Sequence, residues 1–385
     1  MSLNKIKTTN EKYRDQLLFM ATLIVPAYIF YGINAVVQVV VSLSSAFIID
    51  YIFTKIRGKK FYFTDASLYV YALAFALLLP SDFPIYLNIF GVIIMIALGK
   101  HAFGGNKNYI FSPIALAAVF LIVSFPGDML FYPKNDSLFP VFKTNSSELE
   151  RGIENILSLG TLPPIDKLDL LIGNFSGAIG TTCVLVLAVC ALSLVIRKSI
   201  SFTMTATTVL TISAYAWLFP RAGEGVKSAA FELAAGFVLF GTVFLANDPQ
   251  LLPKTRAGRG IYGFLLGLIT MIFRTFGKAD GAFLFALLFA NAICINVDSF
   301  VMSISDWMAT YLASFERLRS QTLKDNLPKA EDTQEIDLPK VIKYDTPEVK
   351  SEVIPIEPPK KASESIDDKK RNGNIAHSKE DEHGQ

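Results

Sequence analysis

A succession of apolar stretches, each about as long as a membrane-spanning helix, runs through most of this sequence. A helix needs roughly 20 apolar residues to cross a bilayer. Very short turns separate several neighbouring stretches, so we expect antiparallel helical hairpins. The predicted fold class is an all-α polytopic membrane protein with about ten transmembrane helices. The predicted spans are 16–33, 34–54, 66–81, 84–99, 109–126, 178–196, 201–219, 229–247, 260–276 and 279–298.

The overall composition points to the same class. Hydrophobic residues make up 52% of the chain, charged residues only 18%, and the mean hydropathy is +0.42, a balance too apolar for an ordinary soluble domain. The net charge is +2, and the basic residues fall in short groups between apolar stretches. Because they form no single basic patch, we expect no nucleic-acid partner.

The cysteines and the motif content exclude several kinds of site. Cys183, Cys190 and Cys294 lie within apolar stretches, without CxxC spacing and without histidines at ligand distance. That pattern is typical of packing residues. No HExxH, Walker A or nucleophile motif occurs. The sequence therefore predicts no metal site and no catalytic residue.

The positions of Lys and Arg predict the orientation in the membrane. Most of them fall in the N-terminal segment 1–15 and in the turns after the even-numbered spans, whereas the other turns hold few, chiefly Arg221, Lys227 and Lys278. Positively charged residues favour the cytoplasmic side. We therefore expect a multi-pass protein of the cytoplasmic membrane with both termini in the cytoplasm.

Two polar segments interrupt or follow the spans. The loop 127–172 carries mixed charge and would lie outside the cell, with one short helix expected from Ser146 to Leu159. After the last span, 301–325 has amphipathic spacing and predicts a helix on the inner membrane surface. Residues 326–385 are rich in Lys, Glu, Asp and Pro and nearly free of aromatics, which predicts a disordered cytoplasmic tail.

A weak internal similarity links the two groups of five spans. The third span ends in Leu79-Pro80-Ser81-Asp82-Phe83-Pro84, and the eighth ends in Asn247-Asp248-Pro249-Gln250-Leu251-Leu252-Pro253. With an odd number of spans in each half, such a repeat would be inverted across the membrane, as in many transporters. The sequence thus leaves open an architecture of two inverted five-helix halves.

An ordered series of motifs resembles the RnfD/NqrB family over about residues 15–300. The family comprises the membrane proteins RnfD, from the Rnf ion-translocating ferredoxin:NAD oxidoreductase, and NqrB, from the sodium-translocating NADH:quinone oxidoreductase. The motifs that carry the resemblance are Asp65-Ala66-Ser67, Leu77-Leu78-Leu79-Pro80, Gly99-Lys100-His101-Ala102-Phe103-Gly104-Gly105, 173–182, Asn247-Asp248-Pro249 with Pro253, Ile261-Tyr262-Gly263, Arg274-Thr275-Phe276-Gly277, Asn291 and Asp298.

That resemblance implies a ten-helix subunit that carries FMN on an outer-loop threonine through a phosphoester. The corresponding stretch here is Thr144-Asn145-Ser146-Ser147-Glu148-Leu149, which puts Ser147 at the acceptor position. A serine hydroxyl can form the same ester, but the Ala, Thr and Pro of the family pattern are missing. A second family stretch corresponds to Gly177-Ala178-Ile179-Gly180-Thr181-Thr182-Cys183, with Thr181 where Glu is usual.

Several residues are therefore candidates for cofactor binding. Gly177, Gly180 and Thr182 could let the backbone approach riboflavin or FMN held without a covalent bond. The same glycines could instead serve only helix packing. Lys100 and His101 are further candidates, although spacing alone favours a tight cytoplasmic turn over a functional role for them.

The leading hypothesis is a membrane electron-transfer subunit of an Rnf-like or extracytosolic flavin-based redox complex, acting with other subunits and not as a free-standing enzyme. Its expected partners are other membrane subunits and a flavinylated extracytoplasmic subunit. One alternative is a membrane transporter of a small molecule, which could be flavin, on the same fold. Another is a structural subunit without its own flavin.

Overall fold

A computed structural model describes residues 7–59, 63–105, 109–133, 149–277 and 281–325. Residues 1–320 form one compact unit, and the second unit, 321–385, is described only at 321–325, the end of the last helix. The described chain is mostly helical, as predicted. The predicted tail 326–385 and the acceptor position Ser147 lie outside the described residues.

The helices follow the predicted apolar stretches. The first half contains α1 (Thr9–Thr22), α2 (Ile24–Tyr31), α3 (Ile33–Ile56), α4 (Ala66–Leu78), α5 (Ile85–Ile94) and α6 (Pro113–Ser124). The predicted outer loop contains α7 (Pro126–Met129), β1 (Phe131–Pro133), β2 (Leu149–Arg151), α8 (Ile153–Ser158) and α9 (Lys167–Ile172). The second half contains α10 (Val184–Ile196), α11 (Phe202–Leu218), α12 (Gly225–Ala234), α13 (Val238–Phe240), α14 (Arg256–Thr275) and α15 (Ala282–Asp325). Two helices continue as π-helical segments, α5 into Met95–His101 and α13 into Gly241–Leu245.

Few of these helices are long and apolar enough to cross a membrane alone. Within the described ranges only α3 and α14 meet both conditions, and up to four spans result if each of two bent helix pairs counts as one. The bent pairs are Gly225–Ala234 with Val238–Leu245, at 65°, and Ala282–Cys294 with Val297–Met308, at 52°. The protein is thus a helical membrane protein, whereas the count of about ten spans stays a prediction.

Helix α4 forms the centre of the first half. All of its residues except Tyr69 are buried, and it packs against α1, α3 and α6. Asp65 caps its beginning by accepting a hydrogen bond from the backbone N–H of Ser67 at 3.2 Å. It ends at Leu78 because Pro80 disfavours helical geometry at the residue before it.

Helix α10 shows the opposite pattern, with an apolar face turned outward. Leu185, Val189, Leu192 and Ile196 are all more than half exposed and recur at helical spacing along one side. Exposed apolar side chains of this kind are expected where a helix faces lipid. The face therefore suits contact with the bilayer or with an apolar helix of another subunit.

The polar segments that follow α4 and the π-helical continuation of α13 each contact a residue near the beginning of the opposite half of the chain. Beyond α4, the backbone N–H of Ile179 donates to the carbonyl of Leu79 at 3.1 Å. Beyond α13, the Gln16 side chain donates to the carbonyl of Asn247 at 3.2 Å. Such reciprocal contacts are what two inverted halves would make, although the repeat itself stays a prediction.

Two local expectations differ from the structure. The helix expected from Ser146 to Leu159 begins only at Ile153, because β2 pairs antiparallel with β1 in the register Phe131↔Arg151. The Arg151 guanidinium also lies over the Phe131 ring, 5.1 Å from its centroid, a cation–π contact that favours the strand pairing. The last span and the predicted surface helix form a single bent helix, α15.

Candidate functional site

The glycine-rich segment before α10 packs tightly against the end of α4. The backbone N–H of Gly180 donates to the carbonyl of Leu77 at 2.7 Å, and a Cβ on Gly180 would lie 2.6 Å from the Leu77 Cβ. A Cβ on Gly177 would lie 2.7 Å from the buried Thr182 Cγ2, and Tyr31 donates to the Gly177 carbonyl at 3.0 Å. Close backbone approach thus accounts for both glycines.

Adding a methyl group at Gly180 tests this packing. We expect Gly180→Ala to lower the free energy of unfolding by about 1–3 kcal/mol, because the segment or Leu77 must move. Gly127→Ala is the matched control, since a Cβ there meets nothing within 4 Å. Thermal unfolding in detergent would measure both variants, and equal melting temperatures would contradict the packing role.

A small cavity adjoins the glycine-rich segment. Gly177, Ala178 and Thr181 line it together with Glu154 and Gly281, and its volume is about 20 Å³. A space of this size holds about one water molecule. It is therefore too small for the ring system of a flavin.

A larger cleft, called the outer cleft because residues of the predicted outer loop line it, also adjoins this segment. It measures about 550 Å³, and Arg151, Ile153, Asn174 and Phe175 contribute to its lining. This volume falls in the range of about 300–1,000 Å³ typical of small-molecule sites. Ser147 stands two residues before β2 in the chain, whereas Gly180 and Thr182 are outside the lining of this outer cleft.

A fully buried arginine joins the outer segment to the second half. Arg274 donates through Nε to Glu154 Oε1 at 2.9 Å, and through Nη1 to Glu232 Oε2 and to the Glu232 carbonyl, each at 2.7 Å. Its Nη2 donates to the Ala235 carbonyl at 3.0 Å. The guanidinium therefore connects α8, α12 and α14, and it holds the helix that lines the outer cleft.

A second arginine balances the charge of this network. Arg221 donates to both carboxylate oxygens of Glu232, at 2.5 and 2.8 Å, and to the carbonyl of Arg274 at 3.1 Å. The backbone N–H of Gly281 donates to Glu154 Oε2 at 3.1 Å. Two cations thus face two carboxylates with their hydrogen-bonding groups engaged, as buried ion pairs require. The sequence pattern missed the two glutamates, although Glu232 stands inside a predicted span.

Lys100 and His101 meet a carboxylate that lies far away in sequence. Lys100 Nζ is 3.1 Å from Asp50 Oδ2, and His101 Nε2 is 2.8 Å from Asp50 Oδ1. Asp50 and Lys100 are both only 4% exposed. Both basic residues belong to the π-helical segment Met95–His101, a local irregularity often found at functional sites. Lys100 and His101 therefore form a buried ion cluster with Asp50 of α3.

The structure does not bring this ion cluster and the glycine-rich segment together. Lys100 lies 3.8 Å from Asp65 at the beginning of α4, whereas Gly180 contacts Leu77 near the end of the same helix. At about 1.5 Å per residue, these two points on α4 lie roughly 18 Å apart. The predicted cofactor residues therefore fall into two separate groups.

A third buried cluster surrounds Asp248 in the break after α13. Its carboxylate accepts hydrogen bonds from Tyr13 at 2.6 Å, Tyr71 at 3.0 Å and Tyr109 at 3.5 Å. Hydroxyl donors stabilise a carboxylate that burial removes from water. The tyrosines come from three distant parts of the chain, so their meeting at Asp248 has no counterpart in local sequence spacing.

An ion pair at the predicted inner side ties the N-terminal segment to the turn before α11. Asp15 is bound by Lys7 and Ser199, and Arg197 lies 2.7 Å from its Oδ1. Burial alone would raise the pKa of the Asp15 carboxyl, but these hydrogen bonds and charges outweigh it and the net pKa is lowered. Because the charged form is favoured in the folded state, this stabilisation is present at neutral pH and is lost in acid.

Comparison with known proteins places this chain in a family. The model of the NQR2, RnfD, RnfE family matches residues 3–304, well over half of the sequence. The chain belongs to this family. The prediction of an RnfD/NqrB family member, made from the sequence motifs, is thereby confirmed.

Similar members of the NQR2, RnfD, RnfE family come from several bacteria. The chain is 28% identical over 300 residues to a subunit of the ion-translocating oxidoreductase complex of Actinobacillus succinogenes, covering 69% of this chain and 84% of that one. It is 27% identical to a subunit of the proton-translocating ferredoxin:NAD(+) oxidoreductase complex of Clostridium ljungdahlii, covering 72% and 87%. It is also 27% identical to a subunit of the Na(+)-translocating NADH-quinone reductase of Ectopseudomonas mendocina, covering 66% and 63%.

Proposed function

We propose that this protein is a membrane subunit of an ion-translocating oxidoreductase complex and that it moves electrons through a flavin at the outer cleft. Its relatives in Actinobacillus, Clostridium and Ectopseudomonas, which are subunits of such complexes, support the first part. Its partners are other membrane subunits and a flavinylated extracytoplasmic subunit. The protein spans the cytoplasmic membrane about ten times, with both termini in the cytoplasm.

The observation that carries the flavin assignment is the outer cleft itself. Its volume of about 550 Å³ suits a ligand of flavin size, and β2 borders it two residues after Ser147. A phosphoester from Ser147 would tether FMN beside this opening. The tether would leave the small cavity near Gly177 to water, because a flavin ring cannot enter it.

The residues of the outer cleft fit such a cofactor chemically. Arg151 supplies a guanidinium that can pair with a phosphate oxygen, and Asn174 supplies an amide that can donate and accept. Ile153, Ile156 and Phe175 supply apolar surface for the ring. A bound flavin would accept and release electrons, while these side chains orient it and limit its contact with water.

Flavin fluorescence after denaturing electrophoresis tests the covalent assignment. The protein would be produced together with an FMN transferase and its complex subunits, as wild type, Ser147→Ala and the matched control Ser146→Ala. We expect a fluorescent band for wild type and for Ser146→Ala, and at least tenfold less fluorescence for Ser147→Ala. A band that persists in Ser147→Ala would assign the ester to another residue.

A mild-detergent extract distinguishes the remaining outcomes. Flavin in that extract, without a fluorescent band, would support riboflavin or FMN held without a covalent bond. Absence of flavin from both preparations would overturn the flavin part of the proposal. Subunit membership is tested separately, by purifying the tagged protein in mild detergent and identifying the membrane subunits that accompany it.

A further inference from the structure

An apolar cleft opens beside α10 in the second half. It measures about 320 Å³ and is lined by residues of α9, α10, α11 and the bent helix formed by α12 and α13. Its α10 lining consists of Val184, Leu187, Ala188 and Ala191, which are spaced as one face of a helix. At about 1.5 Å per residue, this face extends roughly 10 Å along the helix axis.

The position of the cleft exposes it to the bilayer. A neighbouring face of α10 carries Leu185, Val189 and Leu192, each more than half exposed. On α11, Leu210 follows the lining residue Val209 and is 66% exposed. Because exposed apolar side chains stand beside the lining on both helices, a lipid can enter the cleft sideways from the membrane.

We propose that this cleft binds one acyl chain of a membrane lipid. The surface that it presents is wholly apolar, so an acyl chain loses no hydrogen bonds on entering, whereas a polar ring would lose them. Small residues, Ala188 and Ala191 on α10 and Ala230 and Ala234 on α12, leave the space unfilled by protein. Interiors are otherwise close-packed, and an acyl chain would restore those contacts.

Photo-crosslinking in vesicles tests the proposal. Full-length protein would be reconstituted into phosphatidylglycerol vesicles that contain a tracer of the same lipid with a diazirine midway along one acyl chain. After illumination, peptide mapping should place labels on the Ala188 and Ala191 face of α10 and on the facing residues of α12. Labels confined to the Leu185, Val189 and Leu192 face would overturn the proposal.

Filling the cleft provides the matched comparison. Ala191→Phe narrows it from within, whereas Leu192→Phe changes the neighbouring lipid-facing residue, which is 63% exposed. We expect labelling of the α12 residues to fall at least fivefold in Ala191→Phe and to stay unchanged in Leu192→Phe. Unchanged labelling in both variants would count against the proposal.

Two further measurements separate the acyl chain from other occupants. Melting temperatures show whether Ala191→Phe is folded. If this variant is unfolded, the peptide map of crosslinks on the wild-type protein decides the test. Mapping is repeated on the assembled complex, where loss of the cleft labels would show that a partner helix fills the space and would overturn the proposal. The proposal would also be overturned if one quinone per protein is found in the organic extract and the cleft residues are labelled only after this quinone has been removed.

Discussion

Replacement of Arg274 by methionine is expected to lower the free energy of unfolding by about 3–5 kcal/mol. Methionine has a similar length and can fill much of the same space, so the loss reflects charge and hydrogen bonding more than volume. Without the guanidinium, Glu154 loses its cation and Glu232 keeps only Arg221. A buried carboxylate without compensation costs more than the lost pair itself contributes.

The comparison variants isolate this effect. Lys227→Met removes a half-exposed lysine that pairs with the exposed Glu224, and surface changes of this kind stay within about 0.5 kcal/mol of wild type. Arg274→Lys keeps the charge but loses the planar fork that reaches three partners, so it should fall between wild type and Arg274→Met. Unfolding would be followed by detergent-denaturant titration.

The same substitution also probes the outer cleft. Because Arg274 holds Glu154 in α8, and α8 lines that cleft, we expect Arg274→Met to change the surroundings of a flavin bound there at temperatures where the protein is still folded. The visible absorbance and fluorescence of the bound flavin would be compared with those in Lys227→Met. Equal free energies of unfolding for Arg274→Met and Lys227→Met would show that the buried ion-pair network around Arg274 contributes no net stability.

The features of the fold that can be predicted from the sequence are those with a local signal. Apolar stretches of nearly span length predicted where the helices lie, because backbone groups in a membrane must be satisfied within each helix. The proline after Leu79 and the polar residues from Asn247 onward likewise marked the breaks. For Gly177 and Gly180 the sequence left open a flavin contact or helix packing; in the structure Gly180 packs against Leu77 near the end of α4, and Gly177 against Thr182.

The buried ion pairs could not be predicted, because their two residues lie far apart along the chain. Glu154 lies 120 residues from Arg274, and Asp50 lies 50 residues from Lys100. No spacing rule connects such positions, because the fold alone brings them together. Strand β2 was missed for a different reason: three residues are too few for a periodic pattern. Glu232 did offer a usable signal, since a carboxylate inside a predicted span needs a partner.

Replacement of Lys100 by methionine should also cost about 3–5 kcal/mol of unfolding free energy. Asp50 would keep His101 at 2.8 Å but lose the ammonium group 3.1 Å away, in a site where both partners are only 4% exposed. Lys55→Met is the matched control, because Lys55 stands in the last turn of α3 and is less buried than Lys100. Similar unfolding of these two variants would contradict the expectation.

The double variant Asp50→Leu, Lys100→Met distinguishes an ion pair from a cofactor contact. Removing both charges leaves neither an unpaired Asp50 nor an unpaired Lys100, although His101 loses its contact with Asp50. We therefore expect part of the lost stability to return, in a non-additive cycle. The flavin content and absorbance spectrum provide a second measurement, because roughly 18 Å of α4 separates Lys100 from the glycine-rich segment. If Lys100 acts only within the ion cluster, the double variant has the flavin content and spectrum of wild type. If the double variant is stable but its flavin content or spectrum changes, Lys100 or Asp50 contacts a cofactor, in line with the candidate role of Lys100 in cofactor binding.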